Sequence, residues 1–213
     1  MRRLAGRRTT LGVIAGLAAF VATGALAVTR DGGGVHDAPI GPEGVPVLDA
    51  PVLAPARDVG RGKAIDGIAC QGREQILFHI HAHLTIVVRG RPNRIPAGVG
   101  IAAPRQVATT PAGPFVVGGG CFRWLHTHSA DGIVHTESPV ARTYTLGDFF
   151  DVWGQPLDRE QVGPAHGRVT ALVGGRVFAG DPRTIPLTAH AQIQLDVGKP
   201  VVPARPITWP RGL

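Results

Sequence analysis

Two stretches of the sequence alternate regularly between side-chain types, and no other feature constrains the fold as strongly. Successive Cβ atoms of a β-strand point to opposite sides of the pleat, so a period of two places alternate residues on one face. Within residues 77–88 one such set is wholly apolar, whereas the other carries His79, His81 and His83. The pattern predicts a strand whose apolar side packs in a core and whose imidazoles line a second face, a cleft or a barrel interior.

The second alternating stretch predicts a β-hairpin that gathers further histidines. Asp-Gly within a short polar break is a turn signal, so we expect one strand over 121–128, the turn over 129–132 and the return strand over 133–137. In this register His128 pairs with Ile133, and His126 pairs with His135. Residues that pair directly across two antiparallel strands point to the same face, so these two imidazoles should meet.

The predicted hairpin also brings a carboxylate to the imidazoles. Glu137 would lie opposite Trp124, and Phe122 and Trp124 would form an aromatic floor. Three imidazoles and a carboxylate can bind Zn²⁺, Cu²⁺, Fe²⁺, Ni²⁺ or Mn²⁺, of which we favour Zn²⁺ and Cu²⁺. The metal ligands that the hairpin predicts are His126, His128, His135 and Glu137.

The first strand can offer only some of its histidines to one metal ion. Residues i and i+2 of a strand lie roughly 6.5 Å apart, and three successive same-face residues span roughly 13 Å. We therefore expect at most two of His79, His81 and His83 in one coordination shell. The third would hydrogen-bond a ligand, bind a second metal or carry protons. The alternative for the whole set is a histidine hydrogen-bond network, which could respond to pH.

The beginning of the sequence predicts export. Four arginines within the first eight residues precede an uncharged apolar segment, residues 11–28. This segment is long for a signal-peptide core of about 7–15 residues and just long enough to span a bilayer. We favour an uncleaved signal anchor over residues 1–28, with the arginines inside; cleavage near Ala25-Leu26-Ala27 is the alternative. The protein is expected to be extracytoplasmic, either anchored by a single span or secreted.

Composition divides the rest of the chain into three parts. Residues 29–62 are rich in proline and glycine without a helical or strand period, which predicts a linker or stalk. Residues 63–198 are enough for one domain with a single core. Residues 199–213 carry four prolines and predict an extended tail.

Composition also argues against several functions. The formal net charge is +7, but four arginines in the first 28 residues, a stretch without acids, leave only +3 for the remainder. No basic stripe with interleaved aromatics occurs in the sequence, so nucleic-acid binding is not expected. The serines after the linker, Ser129 and Ser138, lie outside any Gly-x-Ser-x-Gly turn, which argues against a serine hydrolase. The only methionine is Met1, which disfavours a blue-copper site with an axial thioether.

The two cysteines of an exported chain most simply form one disulfide, Cys70 to Cys121. Each cysteine precedes one of the histidine-bearing strands. The bridge would therefore tie these strands together and close a loop of about 50 residues. A metal-ligand role for Cys121 is the alternative.

The remaining pattern is mostly β. Turn signals predict hairpins over 84–95 and 169–178, and alternation predicts a strand over 191–197 that directs Gln194 and Asp196 outward. The predicted fold class is mainly β: a single antiparallel β-sandwich or barrel-like domain with one short helix.

The one predicted helix has a start signal and a stop signal. Thr145 is the expected N-cap, with Asp148 three residues later, and Gly154 follows the last apolar residue. Apolar side chains recur between them at helical spacing, which predicts a helix that covers a sheet.

Three sequence strings, HIHAHL, LHTHSADGIVHTE and TLGDFFDVWG, occur in this order and together resemble a family of exported bacterial proteins. The likeness covers roughly residues 70–199 and implies no particular activity. His-x-His on one strand with a histidine on the antiparallel neighbour is also similar to the metal strands of α-carbonic anhydrases and cupins. This second likeness is local, so it implies a metal and no particular reaction.

Three functions fit the sequence. The first is an extracytoplasmic protein that binds, senses or delivers a divalent transition metal. The second is a metal-dependent enzyme, either a zinc hydrolase or lyase or a copper or iron redox enzyme, in which Glu137, His81 or His83 moves protons. The third is a structural or pH-responsive interaction module whose histidines only form hydrogen bonds. The expected partners are a metal ion or small molecule and, through residues 11–28, a membrane.

Overall fold

The computed structural model of the protein describes residues 38–58 and 62–213. The predicted signal anchor and the first part of the predicted linker lie outside these residues. Within the described ranges, no helix is both long enough and apolar enough to cross a membrane.

The regular elements of the described residues are thirteen strands and one α-helix. In chain order they are β1 (Cys70–Gln71), β2 (Phe78–Val88), β3 (Arg91–Asn93), β4 (Gln106–Thr110), β5 (Gly113–Gly118), β6 (Phe122–Arg123), β7 (Leu125–His126), β8 (Ile133–Ser138), α1 (Leu146–Trp153), β9 (Gln161–Val162), β10 (Ala165–His166), β11 (Val169–Val173), β12 (Arg176–Val177) and β13 (Gln192–Val197).

A mixed sheet around the long strand β2 forms the centre of the fold. Its order is β12-β11-β13-β2-β8-β7, and β3 pairs with the second half of β2. Neighbouring strands are antiparallel except β13 and β2, which are parallel. The prediction of a mainly β domain with one short helix is confirmed. The sheet is mixed rather than wholly antiparallel, because the chain crosses back after β12 and enters β13 in the direction of β2.

The core lies on the apolar face of β2. Ala82, Leu84 and Ile86 are buried there, and the aromatic side chains Phe149 and Trp153 of α1 belong to the same cluster. This arrangement explains why one set of alternating residues in β2 is apolar. The opposite set, with the histidines, is left to face a different environment.

The helix begins and ends where the sequence signals predict. The Thr145 hydroxyl accepts a hydrogen bond from the Asp148 amide at 3.2 Å, and the Asp148 carboxylate accepts one from the Thr145 amide at 2.9 Å. This reciprocal pair satisfies two amides that helix geometry leaves without partners. Gly154 ends the helix in the left-handed conformation, with φ of 68°.

The hairpins predicted over 84–95 and 169–178 are both present. In the first, Arg89 and Gly90 have φ of 49° and 78° between the paired residues Val88 and Arg91. In the second, Gly174-Gly175 joins β11 to β12 in the same way, with both φ values positive. Two-residue turns of this kind match the twist of the strands that they connect.

The described part of the predicted linker packs on the domain. Val45 and Val47 are buried, with exposed fractions of 0% and 3%. The chain turns at Gly41 and Gly44, where the Gly44 amide donates to the Gly41 carbonyl at 2.9 Å. Residues 38–58 therefore form part of the folded structure and bring Glu43 against the sheet.

The predicted tail also packs on the domain, and it covers two side chains predicted to point outward. Gln194 and Asp196 of β13 are 3% and 0% exposed. Asp196 accepts a hydrogen bond from the Val202 amide at 3.0 Å, and Gln194 accepts one from the Arg205 amide at 3.0 Å. These side chains bind the backbone of the tail as a neighbouring strand would, so alternation in β13 does not separate buried from exposed residues.

The predicted disulfide between Cys70 and Cys121 is present, with the two Cα atoms 5.5 Å apart. It lies beside the short pair β1 and β6, in which Cys70 pairs with Arg123. The bridge therefore holds the chain just before β2 against the chain that leads into β7.

The capping interaction gives a test of how the helix is stabilised. Replacing Thr145 with alanine should lower the free energy of unfolding by about 1 kcal/mol, because the Asp148 amide loses its acceptor. Chemical denaturation with circular dichroism measures the change. The matched control is Thr109→Ala on the exposed strand β4, which should change stability by less than about 0.5 kcal/mol. Equal effects of the two substitutions would contradict the role of the cap.

Candidate metal centre

Three adjacent strands place the predicted site residues in two rows on one face of the sheet. β8 lies between β2 and β7, and His135 of β8 pairs with His81 on one side and with His126 on the other. In the next row His79 pairs with Glu137. The predicted pairing of His126 with His135 is confirmed.

The sheet brings together six of the seven predicted site residues, in two overlapping groups. In each group the candidate ligand atoms lie within 4.8 Å of one another. The β2 group is His79, His81, His135 and Glu137, and the β7 group is His126, His128, His135 and Glu137. All of these side chains are buried except that of His79, which is 39% exposed. The described residues thus contain buried histidine and glutamate clusters that could hold a metal ion.

The orientation of His126 and His128 is fixed by backbone carbonyls. His126 donates from Nδ1 to the Arg123 carbonyl at 2.9 Å, and His128 donates from Nδ1 to the Val116 carbonyl at 2.6 Å. Because a carbonyl oxygen can only accept, each Nδ1 carries the proton, and each neutral ring has an unprotonated Nε2. The two Nε2 atoms point at each other 3.2 Å apart. Two lone pairs at this distance repel each other unless a proton or a metal ion lies between them.

Burial favours the neutral form of the His126 and His81 rings. It lowers the pKa of His126 well below the ordinary value, and the neighbouring His135 and His128 lower it further. Burial also lowers the pKa of His81 to about 4. A neutral imidazole is the form that binds a metal ion, so these side chains are available as ligands at neutral pH.

Glu137 lies between the two groups and directs one oxygen toward each. Oε1 lies 3.1 Å from His79 Nε2 and 3.2 Å from His135 Nδ1, whereas Oε2 lies 3.9 Å from His126 Nε2. Burial alone would raise the pKa of Glu137, but the hydrogen bond from His135 and the nearby histidines lower it to about 2. Glu137 is therefore a carboxylate at neutral pH. Its Oε2 is buried and has no hydrogen-bond partner among the described residues.

His135 is cationic at neutral pH in the absence of metal. Burial would lower its pKa, but hydrogen bonds to Glu137 and Glu43, together with their charges, raise it to about 9. The Glu43 contact is short, with His135 Nε2 and Glu43 Oε1 2.5 Å apart. Burial disfavours the charge of Glu43, but the hydrogen bond with His135 keeps the pKa of Glu43 below its ordinary value.

Sequence reasoning missed three acidic side chains near the cluster. Glu43 comes from the predicted linker, and nothing in its local sequence marks it as functional. Asp131 faces Glu43, and burial together with this neighbouring carboxylate raises the pKa of Asp131 to about 8. Glu74 Oε1 lies 3.3 Å from His128 Nε2. The Cys70–Cys121 disulfide was the available signal for Glu74, because it brings residues just after Cys70 close to those just after Cys121.

His83 lies apart from both groups. Its Nε2 donates to the Asp131 carbonyl at 3.0 Å, and burial lowers its pKa to about 4. It is two residues further along β2 than His81 and pairs with Ile133. This placement agrees with the geometric argument that three successive same-face histidines cannot reach one ion.

The hairpin differs from the prediction near its turn. The predicted pair of His128 with Ile133 is not formed, because the His128 carbonyl accepts from the Val116 amide of β5 at 2.9 Å. β7 therefore ends at His126. The chain after His126 therefore hydrogen-bonds to β5 instead of continuing the predicted hairpin strand as far as the turn.

The aromatic floor is also only partly as predicted. Phe122 contacts the imidazoles, with its ring centroid 5.6 Å from that of His126. Trp124 instead packs against Tyr144 and donates to the Gln71 side chain at 2.7 Å. Phe115 of β5 takes a place that the sequence did not indicate, stacking on His128 at a centroid distance of 5.3 Å.

A cavity of about 440 Å³ opens onto the cluster. Its lining includes the buried histidines His81, His128 and His135 together with Glu43, Glu74, His79, Phe115 and Leu213. Its volume lies within the range of small-molecule sites. Several of the candidate ligands are therefore reachable from outside.

No protein-family model, curated protein or solved structure matches this chain. The resemblance to a family of exported bacterial proteins stays a prediction, and the functional argument rests on the geometry of the cluster.

The shifted pKa values predict how the stability of the metal-free protein depends on pH. His135 and Asp131 have raised pKa values, so the stability that each contributes falls as pH rises, for His135 between 6.5 and about 9 and for Asp131 between 3.8 and about 8. Buried histidines with lowered pKa values act in the opposite direction and destabilise the fold as pH falls from 6.5 toward 4; these are His81, His83 and His126. We expect the highest melting temperature near pH 6.5 in the presence of a chelator.

Removing one carboxylate tests whether His135 causes the expected loss of stability at alkaline pH. Glu43→Gln removes one of the two carboxylates that raise the pKa of His135, so its melting temperature should fall less between pH 6.5 and 9 than that of the wild type. Glu160→Gln, on an exposed side chain, is the control and should follow the wild type. A wild-type stability that is flat or rising over this interval would contradict the assignment.

Proposed function

We propose that this chain is an extracytoplasmic protein that binds a divalent transition metal ion, with His126, His128 and Glu137 as its principal ligands. The observation that carries the proposal is the convergence of the Nε2 atoms of His126 and His128, whose rings are each fixed by an Nδ1 hydrogen bond to a backbone carbonyl. Metal-bound histidines are commonly held by a hydrogen bond from the second ring nitrogen. The surrounding protein supplies this arrangement without any ion present.

The distances in the β7 group suit a small ion. Ligand bonds of Zn²⁺ are about 2.0–2.2 Å long, so two ligands of a tetrahedral ion lie about 3.3 Å apart. His126 Nε2 and His128 Nε2 are 3.2 Å apart. Glu137 Oε2 is 3.9 Å from His126 Nε2, so a small shift of the carboxylate would bring it into the same shell. An ion there would satisfy the buried oxygen and relieve the repulsion between the two nitrogens.

The disulfide supports the proposed compartment. Disulfides persist in oxidising compartments outside the cytoplasm, and Cys70 and Cys121 are bonded here. Anchoring in a membrane rests on residues 11–28, which lie outside the described residues. We propose Zn²⁺ or Cu²⁺ as the ion, because imidazole nitrogen with one carboxylate oxygen is a common ligand set for both.

A metal-dependent enzyme is the second candidate, and the cavity is the observation that favours it. The cavity joins the histidine cluster to solvent, and the partly exposed Glu74 carboxylate lies at its wall beside His128. A metal ion with an open position would activate water or polarise a bound group there. Glu74 is placed to accept or donate a proton next to such an ion.

A double substitution tests the proposed ligands. The His126→Ala/His128→Ala variant should lose the tightest Zn²⁺ binding step of the full chain. We expect a loss of more than about 100-fold in affinity, since removing even an outer hydrogen-bond partner of a ligand typically costs about 10–100-fold. Competition titration with a chromophoric chelator measures the affinity, and elemental analysis measures the metal content of untagged protein isolated without chelator.

The control is the His166→Ala variant, which removes an exposed imidazole on β10 and should bind Zn²⁺ as the wild type does. Circular dichroism checks that each variant folds. A wild-type protein that is isolated without metal and binds neither Zn²⁺ nor Cu²⁺ tightly would overturn the proposal and leave a histidine hydrogen-bond network.

A further inference from the structure

The β2 group offers four ligand side chains, of which His79 and His81 do not belong to the β7 group. His79 Nε2 and His81 Nε2 are 3.0 Å apart, and His79 Nε2 is 3.1 Å from Glu137 Oε1. His135 Nδ1 is 3.2 Å from the same oxygen. These separations are close to the roughly 3.3 Å between ligands of a tetrahedral ion. Three nitrogens and one oxygen therefore surround a second position of metal size.

One ion cannot use both histidine pairs. The pair His79 and His81 and the pair His126 and His128 belong to separate groups at the 4.8 Å limit, with only His135 and Glu137 in common. A tetrahedral shell takes four ligands, whereas the cluster offers six side chains. A single-ion site would leave one histidine pair without a role.

Glu137 is oriented to connect the two positions. Its Oε1 contacts the β2 group, and its Oε2 faces His126 with no hydrogen-bond partner among the described residues. A carboxylate that binds one ion through each oxygen is a bridging ligand. Paired metal ions in proteins lie about 3.5–4 Å apart.

The ring orientation of His135, the remaining ligand, is fixed by a hydrogen bond with Glu43. His135 Nε2 is hydrogen-bonded to Glu43 at 2.5 Å, which directs Nδ1 toward Glu137 Oε1 and the β2 group. An ion bound at Nδ1 would take the place of the proton that Nδ1 shares with Glu137. Histidine ligands whose second nitrogen donates to a carboxylate are a recurring arrangement in metal sites.

We propose that the protein binds two divalent ions in a dinuclear centre bridged by Glu137. The first ion binds His126 Nε2, His128 Nε2 and Glu137 Oε2, and the second binds His79 Nε2, His81 Nε2, His135 Nδ1 and Glu137 Oε1. The inference rests on the proposed function, because it adds a second ion to the first. The second position binds less tightly and fills later, since His79 is 39% exposed whereas His126 is fully buried.

Counting bound ions tests the inference. The untagged full chain is stripped of metal, dialysed against buffered Zn²⁺ and analysed for zinc per chain. We expect two ions in the wild type and in the His166→Ala control. The His79→Ala/His81→Ala and His126→Ala/His128→Ala variants should each bind one.

The possible counts separate this inference from the proposed function. One ion in the wild type overturns the second position and leaves the proposed function intact, whereas no ion overturns both. Two ions that survive His79→Ala/His81→Ala overturn the assignment of the second ion to the β2 group.

A spectroscopic measurement on the wild type does not depend on whether the variants fold. The stripped protein is titrated with Cu²⁺ and followed by electron paramagnetic resonance. One equivalent should give the signal of an isolated ion, and a second should lower the integrated signal per copper, because spins bridged at about 3.5–4 Å couple. Two bound ions with full, uncoupled intensity would overturn the bridge.

Glu137→Gln tests which side chain forms the bridge. The amide offers one oxygen and cannot bridge as a carboxylate does, so any two copper ions that this variant binds should give an uncoupled signal. Glu160→Gln, on an exposed side chain, should leave the coupling unchanged. Coupling that persists in Glu137→Gln would exclude Glu137 as the bridge.

Discussion

The pairing of β8 with β2 on one side and β7 on the other is the constraint on which the rest of the site depends. It sets His135 opposite both His81 and His126, so imidazoles from three strands meet in one row. A shift of one residue in either pairing would turn every side chain of the shifted strand to the opposite face. The core itself enforces the register, because the same shift would move Ala82, Leu84 and Ile86 out of the apolar cluster.

The burial of so many polar side chains has a cost that the surrounding structure must offset. His126 and His128 offset part of this cost with hydrogen bonds to the backbone carbonyls of Arg123 and Val116. His135 offsets a further part of the cost as a cation between the carboxylates of Glu43 and Glu137. The oxygen of Glu137 that faces His126 remains without a partner, and a buried unsatisfied oxygen is expensive in a folded protein. This oxygen is therefore a point of the cluster where a cation would offset a remaining cost of burial.

Local signals in the sequence predicted the elements that carry the site, and long-range contacts supplied what they missed. The alternation of β2, the cap at Thr145 and the turns at Gly90 and Gly174 act over a few residues, so a single sequence reveals them. Glu43 and Val116 contact the histidines from segments that are distant in sequence, and no periodicity connects those segments to β8. The outward assignment of Gln194 in β13 was wrong for the same reason, because alternation assigns a residue to a face and does not show what covers that face.

Glu43 reaches His135 across a separation of 92 residues, from a segment that composition assigns to a linker. The same segment buries Val45 and Val47 and exchanges backbone hydrogen bonds with Arg94, so it is held by the core as well as by the cluster. If the segment loosened, His135 would lose the acid that holds its Nε2, and the ring could change its orientation and its basicity. The charge state of the histidine cluster is thereby linked to the packing of a chain segment far away in sequence, so a change that loosens this segment would alter the fold and the cluster together.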